Sequence, residues 1–319
     1  MTFPQKKDLF EQKQKIREST LLTFTGVEGY DVYNCSVPFE YKGQTHLFGR
    51  VEMRADWARS HVRLFRQVAQ DHFAAVEGSM LYPLEDPYIS KIGAQWVMGG
   101  THVVRSGREI ARLYAYFYEG KDPYNLDYFT TGPENMKDIR LVALDNGIGV
   151  FSRPRGEQVL KQHGSESVVG YAVIRDLSEL TADIIENAEV IGNMFAPYEW
   201  GGCNQCYALD SGLIGIIGHK SYPKVSESGL ILSVYTNVSF VFDPKAQRII
   251  DEKIIATRAS YPDAPAKKPE LIDCAFTSGI SARPDGRFDL YSGLGDTFHG
   301  RVVIDDPFEG FGKLKQPKL

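Results

Sequence analysis

Five stretches of the chain open on Asn or Asp and close, one strand pair later, on polar or charged side chains. The openers are Asn34, Asp86, Asp138, Asn204 and Asp273. The closers are Arg50 and Glu52; His102; Arg153 and Arg155; His219 and Lys220; and Asp296 and His299. A carboxylic acid can hand a proton to a departing oxygen. Planar guanidinium forks match the oxygens of an anion. Asn, Asp and Arg together orient hydroxyls, which both donate and accept. Asx at a strand entrance also serves simply to cap a turn through backbone N–H groups. A polar partner for every opener argues for more than capping. Cys203-x-x-Cys206 has the spacing of a metal or redox pair. It stands alone, without a second pair or a βαβ context, and reads as structural.

Such chemistry needs the groups at one point, so the elements that carry them matter. The five stretches are Asn34–Glu52, Asp86–His102, Asp138–Arg155, Asn204–Lys220 and Asp273–Asp296. Each reads as strand, turn, strand. Asp145-Asn146-Gly147 and Asp285-Gly286 are strong hairpin turns, and Lys42-Gly43 and Asp210-Ser211 weaker ones. Recurrence at roughly 50–70 residues, with one or two further strands after each hairpin, predicts an all-β five-bladed β-propeller rather than a sandwich. In an antiparallel hairpin the start of the first strand faces the end of the second. Asn34 then lies across from about Val51, Asp86 from Thr101, Asp138 from Pro154, Asn204 from Ile217 and Asp273 from Thr297. All five ends converge on one mouth of the central channel.

The rest of the chain fits this plan. A short helix is predicted over Asp8–Arg17, anchored by Leu9, Phe10 and Ile16. Residues 1–24 are expected to be a helical extension and 25–319 the propeller. A few helical turns are expected near Asp176–Glu186, and Tyr261–Pro269, with three prolines, is a loop. The net charge of -5 leaves no footprint for nucleic acid. No apolar run suits a membrane helix, and the Lys-, Gln- and Glu-rich start has no secretory signal. The four cysteines therefore read as reduced thiols of a cytoplasmic protein. No GxGxxG or Walker loop is present, so no dinucleotide cofactor is expected, and no metal.

The same residues carry a family resemblance. Asn34 with Gly49-Arg50-Val51-Glu52, Asp86-Pro87-Tyr88-Ile89, Lys137-Asp138 with Ser152-Arg153-Pro154, Gly218-His219, and Tyr291-Ser292-Gly293-Leu294-Gly295-Asp296 follow one another in order. The chain resembles the mannoside phosphorylases of glycoside hydrolase family 130. It is still more similar to the related mannosyltransferase/phosphorylase family, glycosyltransferase family 108, first described as a domain of unknown function. The resemblance implies inverting transfer of mannose from β-linked mannosides, with β-1,2 as the expected linkage and Asp86 as the catalytic acid. It implies that Arg50 and Asp296 hold the mannosyl hydroxyls, with Asn34 beside them.

An inverting hydrolase also needs a carboxylate base to activate water. A phosphorylase needs cations instead, because phosphate is already an anionic nucleophile. Arg153, Arg155, His219 and Lys220 are expected to supply them, with His102, Asp138, Asn204 and Asp273 as further substrate contacts. Trp57, Tyr88, Trp96, Tyr198 and Trp200 could stack on sugar rings or pack in the blades. The expected partners are a β-mannoside oligosaccharide, phosphate or mannose 1-phosphate, and a nucleotide-activated mannose as a second possibility. A hydrolase with Glu52, Asp138 or another acid as base, and a non-catalytic binding propeller, are the competing readings. A binding propeller would not require Asp86 and Arg153 to share a pocket.

Overall fold

The computed structural model describes residues 1–14, 17–55, 59–107 and 109–315. Tight turns set the register of the inner hairpins. Lys42 and Gly43 both take positive φ, 50° and 72°, between the paired residues Tyr41 and Gln44. Such a turn twists as the flanking strands do. Leu144 likewise pairs with Gly147 across Asp145 and Asn146.

From these hairpins the chain builds five sheets, the blades of a propeller. The first blade has Tyr30–Tyr33 and Phe39–Tyr41 along Gln44–Met53, followed by His61–Ala69 and His72–Ala75. The second runs Glu85–Ile92, Gln95–Ser106, Glu109–Gly120, Asp127–Glu134. The third runs Arg140–Leu144, Gly147–Ser152, Gly170–Ile174, Glu189–Val190. The fourth runs Trp200–Ala208, Ile214–Val225, Ile231–Asp243, Arg248–Ala256. The fifth has Ala275–Ala282, Phe288–Leu294 and Phe298–Ile304, and its outermost strand is Ser19–Leu21 from the other end of the chain. Thr23–Thr25 then joins the edge of the first blade, parallel to His72–Ala75. The N-terminal segment thus stitches the fifth blade to the first. The chain has entered the sheets by Ser19, earlier than the boundary at residue 24 expected from sequence.

Each blade is apolar on both faces because it packs between two neighbours. Successive side chains of a strand point to opposite faces. Ile216 joins Phe151 and Tyr171 of the third blade, while Ile217 joins Ile280 and Leu290 of the fifth. Tyr88 and Val97 pack on Leu141 and Val150, and Phe48 and Leu64 on Ile89 and Met98. This is why Ile214-Gly-Ile-Ile reads as continuously apolar rather than alternating. Cys203 and Cys206 are buried in the same packing.

The N-terminal helix is Phe3–Lys13, five residues ahead of the predicted start. Thr2 and Gln5 form a reciprocal capping box, with Pro4 in the first turn. That signal, Thr-x-x-Gln with an early proline, is visible in the sequence. Ile16 and Trp57 lie outside the described residues. The turns expected near Asp176–Glu186 are a 3-10 turn at Leu177–Glu179 and a helix at Ala182–Glu186, capped by Asp176 and Thr181. No helix among the described residues is long and apolar enough to cross a membrane.

Candidate active site

Three of the five openers leave the regular backbone. Asn34, Asp86 and Asp138 have φ of 44°, 50° and 58°, and Asp296, a closer, has 56°. Asn and Asp tolerate this left-handed region better than other side chains. The kink turns each side chain into the channel. Pairing also slips at Asp86, between Glu85 and Tyr88. Such a bulge breaks the alternation of faces, and both Glu85 and Asp86 reach the channel. Asn204 sits in a similar slip, between Cys203 and Gln205.

Asn34, Glu85, Asp86, Asp138 and Asp296 line a cavity of about 550 Å³. That is the size of an ordinary small-molecule site. The cavity has two sides. Blades five, one and two supply carboxylates. Asp86 Oδ1 accepts from Asn34 Nδ2 at 2.9 Å and from Arg50 Nη1 at 2.9 Å. Asn34 Nδ2 also reaches Asp296 Oδ1 at 3.5 Å. Gly293 makes this possible, because any β-carbon there would overlap the Asn34 amide. Arg50 Nη2 donates to Glu52 at 2.7 Å and to Glu85 at 3.2 Å. Glu52 is wholly buried and also takes Tyr33 Oη and Lys267 Nζ. Four carboxylates, Glu52, Glu85, Asp86 and Asp296, thus crowd around Arg50, with Lys267 paired to Glu52 and Lys137 pulling on Glu85 and Asp296. Burial pushes Glu85 and Asp296 up against the pull of Arg50, and the nearby Asp86 adds to the rise. Crowding of like charge in a buried place favours keeping a proton in the cluster.

Blades three and four supply cations. Asp138 is buried, and its two oxygens are both taken: Oδ2 by Arg153 Nη1 at 2.6 Å and Oδ1 by Arg140 Nη2 at 3.3 Å. Burial would raise its pKa, but Arg153, Lys137 and Arg140 outweigh it and hold Asp138 well below the usual range. Arg153 Nε is anchored on the carbonyl of Gly201 at 2.6 Å. Among the described residues, Arg153 Nη2, the Arg155 fork and Lys137 Nζ have no hydrogen-bond or ion-pair partner in the protein. Burial and the neighbouring Arg153 lower the Arg155 pKa. His219 Nδ1 meets Asn204 Oδ1 at 2.7 Å and its Nε2 is buried without a partner. Burial first, and Arg153 second, push His219 far below an ordinary histidine.

A model described as "Protein of unknown function (DUF1861)" matches residues 8–310. The chain belongs to the DUF1861 family. A mannose phosphorylase from Leishmania mexicana, solved in complex with phosphate ion, is 48% identical over 98% of this chain and 96% of its own, with a TM-score of 0.93. A GDP-Man-dependent mannosyltransferase from the same organism is 42% identical over 99% and 98%, with a TM-score of 0.92. The resemblance to the mannosyltransferase/phosphorylase family is therefore shown. A structure from the GH130 family of mannoside phosphorylases, described as containing hydrolases that target β-1,2 mannosidic linkages in Candida mannan, shares the fold at 13% identity, TM-score 0.59, over 96% and 98% of the two chains. No curated protein sequence matches.

In this member of the DUF1861 family, eight of the sequence-derived candidates line the cavity: Asn34, Arg50, Asp86, Asp138, Arg153, Arg155, His219 and Asp296. Four do not. Lys220 follows His219 on its strand and so points to the other face, where it pairs with Glu252 at 3.0 Å and Glu199 at 3.1 Å. Asp273 faces the N-terminal helix and binds Lys7 Nζ at 3.1 Å. His102 is spent on the Pro83 carbonyl at 2.9 Å and on the Tyr116 ring, stacked at 4.4 Å. Asn204 stands behind His219 rather than in the cavity. His219 itself is a neutral ring, so it offers a lone pair or a proton, not a charge. Tyr88 and Trp96 pack in the blades, whereas Tyr198 and Trp200 line the cavity. Glu85, Lys137 and Tyr235 also line it and carried no expectation. Lys137 stands in the Lys137-Asp138 piece of the resemblance but had no role assigned. Glu85 was hidden because strand alternation would point it away from Asp86's side.

The register estimates were near but not uniform. Glu85, not Asp86, pairs with Thr101, and Val51 pairs with Val32, so Asn34 lies just past Tyr33, the partner of Arg50.

Behind this wall, His299 is buried, and burial pushes its pKa down to about 3. Its Nδ1 accepts from the Cys35 amide at 3.4 Å. The folded value lies below the unfolded one, so the contribution to stability is complete above roughly pH 6.5. It is lost as pH falls through that value toward the folded one, by at most about 1.4 kcal/mol per pH unit. The raised Asp296 and Glu85 act in the opposite sense, so the test is a difference. Unfolding free energy measured from pH 7 to pH 5 should fall less steeply for His299→Gln than for the unaltered chain. Equal slopes would mean that His299 is charged in the folded protein.

Proposed function

We propose that this mannosyl-transfer enzyme cleaves β-mannosides, chiefly β-1,2-linked, with phosphate, and runs the same step in reverse. The observation that carries the proposal is the division of one cavity into a carboxylate side with Asp86 and a cationic side with Arg153, Arg155 and Lys137. Arg50, Asn34 and Asp296 would hold the mannosyl hydroxyls. Asp86 would give its proton to the departing glycosidic oxygen as the C1–O bond breaks. A phosphate oxygen, steadied by Arg153, Arg155 and Lys137, would form the new bond to C1 from the opposite face. Inversion gives α-mannose 1-phosphate and a free alcohol. Monohydrogen phosphate brings the proton that restores the acid.

Two arguments favour phosphate over water. Glu52 and Asp138, two acids that a hydrolase could use as base, both have their oxygens engaged by buried cations. Among the described residues, Arg155 and Lys137 have no hydrogen-bond or ion-pair partner and Arg153 keeps Nη2 free, where a nucleophile must arrive. The shared pocket of Asp86 and Arg153 also speaks against a non-catalytic propeller.

The assay is incubation of β-1,2-mannobiose with phosphate, with NMR of the product. Free mannose released at the same rate without phosphate would make it a hydrolase. Turnover of GDP-mannose alone would make it a nucleotide-sugar transferase. Arg153→Ala should raise the KM for phosphate about ten- to a hundred-fold, since a charge-assisted contact contributes roughly 1.5–3 kcal/mol. Arg155→Ala should do the same without disturbing the fold, having no protein partner to strand. Mannoside binding should persist in both.

A further inference from the structure

The mouth of the cavity is lopsided. On the side of the third and fourth blades it is edged by Leu160, Tyr198 and Ile231, which are 42%, 77% and 62% exposed. Bare apolar side chains gathered at a cavity mouth mark a contact surface. Tyr198 adds an independent observation. Its φ is 67°, in the left-handed region that a bulky side chain seldom enters. Gly or Asn would hold the same backbone with less strain, and the ring contributes nothing to the core. The backbone beneath it is fixed all the same. Tyr198 N–H donates to the Gly164 carbonyl at 3.1 Å, and Ser165 Oγ to the Glu199 carbonyl at 2.6 Å. A strained, rigidly held loop thus presents a tyrosine to solvent beside the site, and strain of this kind concentrates where ligands are held.

We propose that Tyr198, flanked by Leu160 and Ile231, is the platform for the sugar rings of an oligosaccharide beyond the mannose held at Asp86. The inference rests on the reading of the cavity as a mannoside site. A pyranose has an apolar C–H face and a rim of hydroxyls. The tyrosine ring takes the face. Glu166 and Ser233, on the same wall, offer partners for the hydroxyls. A neutral ring also tolerates the Glu166 carboxylate, which would repel a diphosphate. Tyr198 then sets the preference for chain length.

The test is calorimetric binding in the catalytically silenced Asp86→Asn chain, with mannose and with β-1,2-mannotriose. The trisaccharide should bind more tightly than mannose. Adding Tyr198→Asn should weaken the trisaccharide about tenfold and leave mannose unchanged. The melting temperature should not drop, because Asn accepts the left-handed backbone. Tyr198→Phe should keep the affinity. An unchanged trisaccharide affinity in Tyr198→Asn, or an equal loss for mannose and trisaccharide, overturns the platform. Loss of GDP-mannose affinity with trisaccharide affinity intact would overturn it in favour of a nucleobase. Failure of the Asp86→Asn chain to bind mannose at all would sink the cavity reading itself, a result distinct from the others.

Discussion

Asp86→Asn should leave the melting temperature unchanged and lower mannosyl transfer on the order of a hundred- to ten-thousand-fold, the usual worth of general acid catalysis. The amide keeps the shape of the acid. Its oxygen can still accept from Asn34 and Arg50, which both use a single oxygen of Asp86. The other oxygen takes no hydrogen bond among the described residues and is the one free to protonate a leaving group. In the variant an NH₂ stands there, with no proton to give. Arg50 keeps Glu52 and Glu85 as counter-charges, so the fold does not inherit an unpaired cation. The measurement is the rate of mannose 1-phosphate formation from mannobiose, alongside a thermal melt. A variant that turns over normally would move the acid to Glu85 or Asp296. An activated donor with a good leaving group should recover part of the lost rate, since it needs less protonation.

The second large effect is on stability. Asp138→Ala should cost about 3–5 kcal/mol, the range for breaking a buried ion pair from one side. Both oxygens of Asp138 are engaged, and removing them strands Arg140 and Arg153 together. Alanine also fits the left-handed backbone poorly, at φ 58°. Asp138→Asn separates the two terms, because Asn tolerates that backbone while losing the charge. Urea denaturation of both variants reads the difference. A loss below about 1 kcal/mol in Asp138→Ala, the scale of an exposed pair, would show that the arginines are solvated after all. Asp138 is on this view a positioning residue: it aims Arg153, and its removal should also raise the KM for phosphate.

The propeller was legible because hairpins are local. Lys42-Gly43 and Asp145-Asn146 fix their registers within a few residues, and five such units repeat. The convergence of Asn34, Asp86, Asp138 and Asp296 followed from hairpin geometry alone. What escaped depended on single-residue phase. Hairpin ends alone place Lys220 and His102 with the cluster, whereas alternation sends neighbours to opposite faces. Glu85 was lost for the reverse reason, since the slip at Asp86 cancels alternation where it would have been trusted. Asp273 was claimed by Lys7, about 270 residues away, and nothing local to Asp273 announces that contact. The helix start is marked by Thr2-x-x-Gln5, ahead of the apolar anchors Leu9 and Phe10.

The pairing of Ser19–Leu21 with Phe298–Ile304 has a consequence for how the protein is made. Blades can form in turn as the chain leaves the ribosome. The ring cannot, because Ser19–Leu21, which completes the fifth blade, is made before the rest of that blade and must wait for Phe298–Ile304. Closing so long a loop makes this the expected slow step, with open blade edges exposed meanwhile. The contact between Asn34 and Asp296 crosses that same seam. A chain that stops before Ala275 would therefore keep most of its blades yet never assemble the pocket. Catalytic competence would appear only in finished molecules, so partial chains could occupy quality-control machinery without consuming sugar.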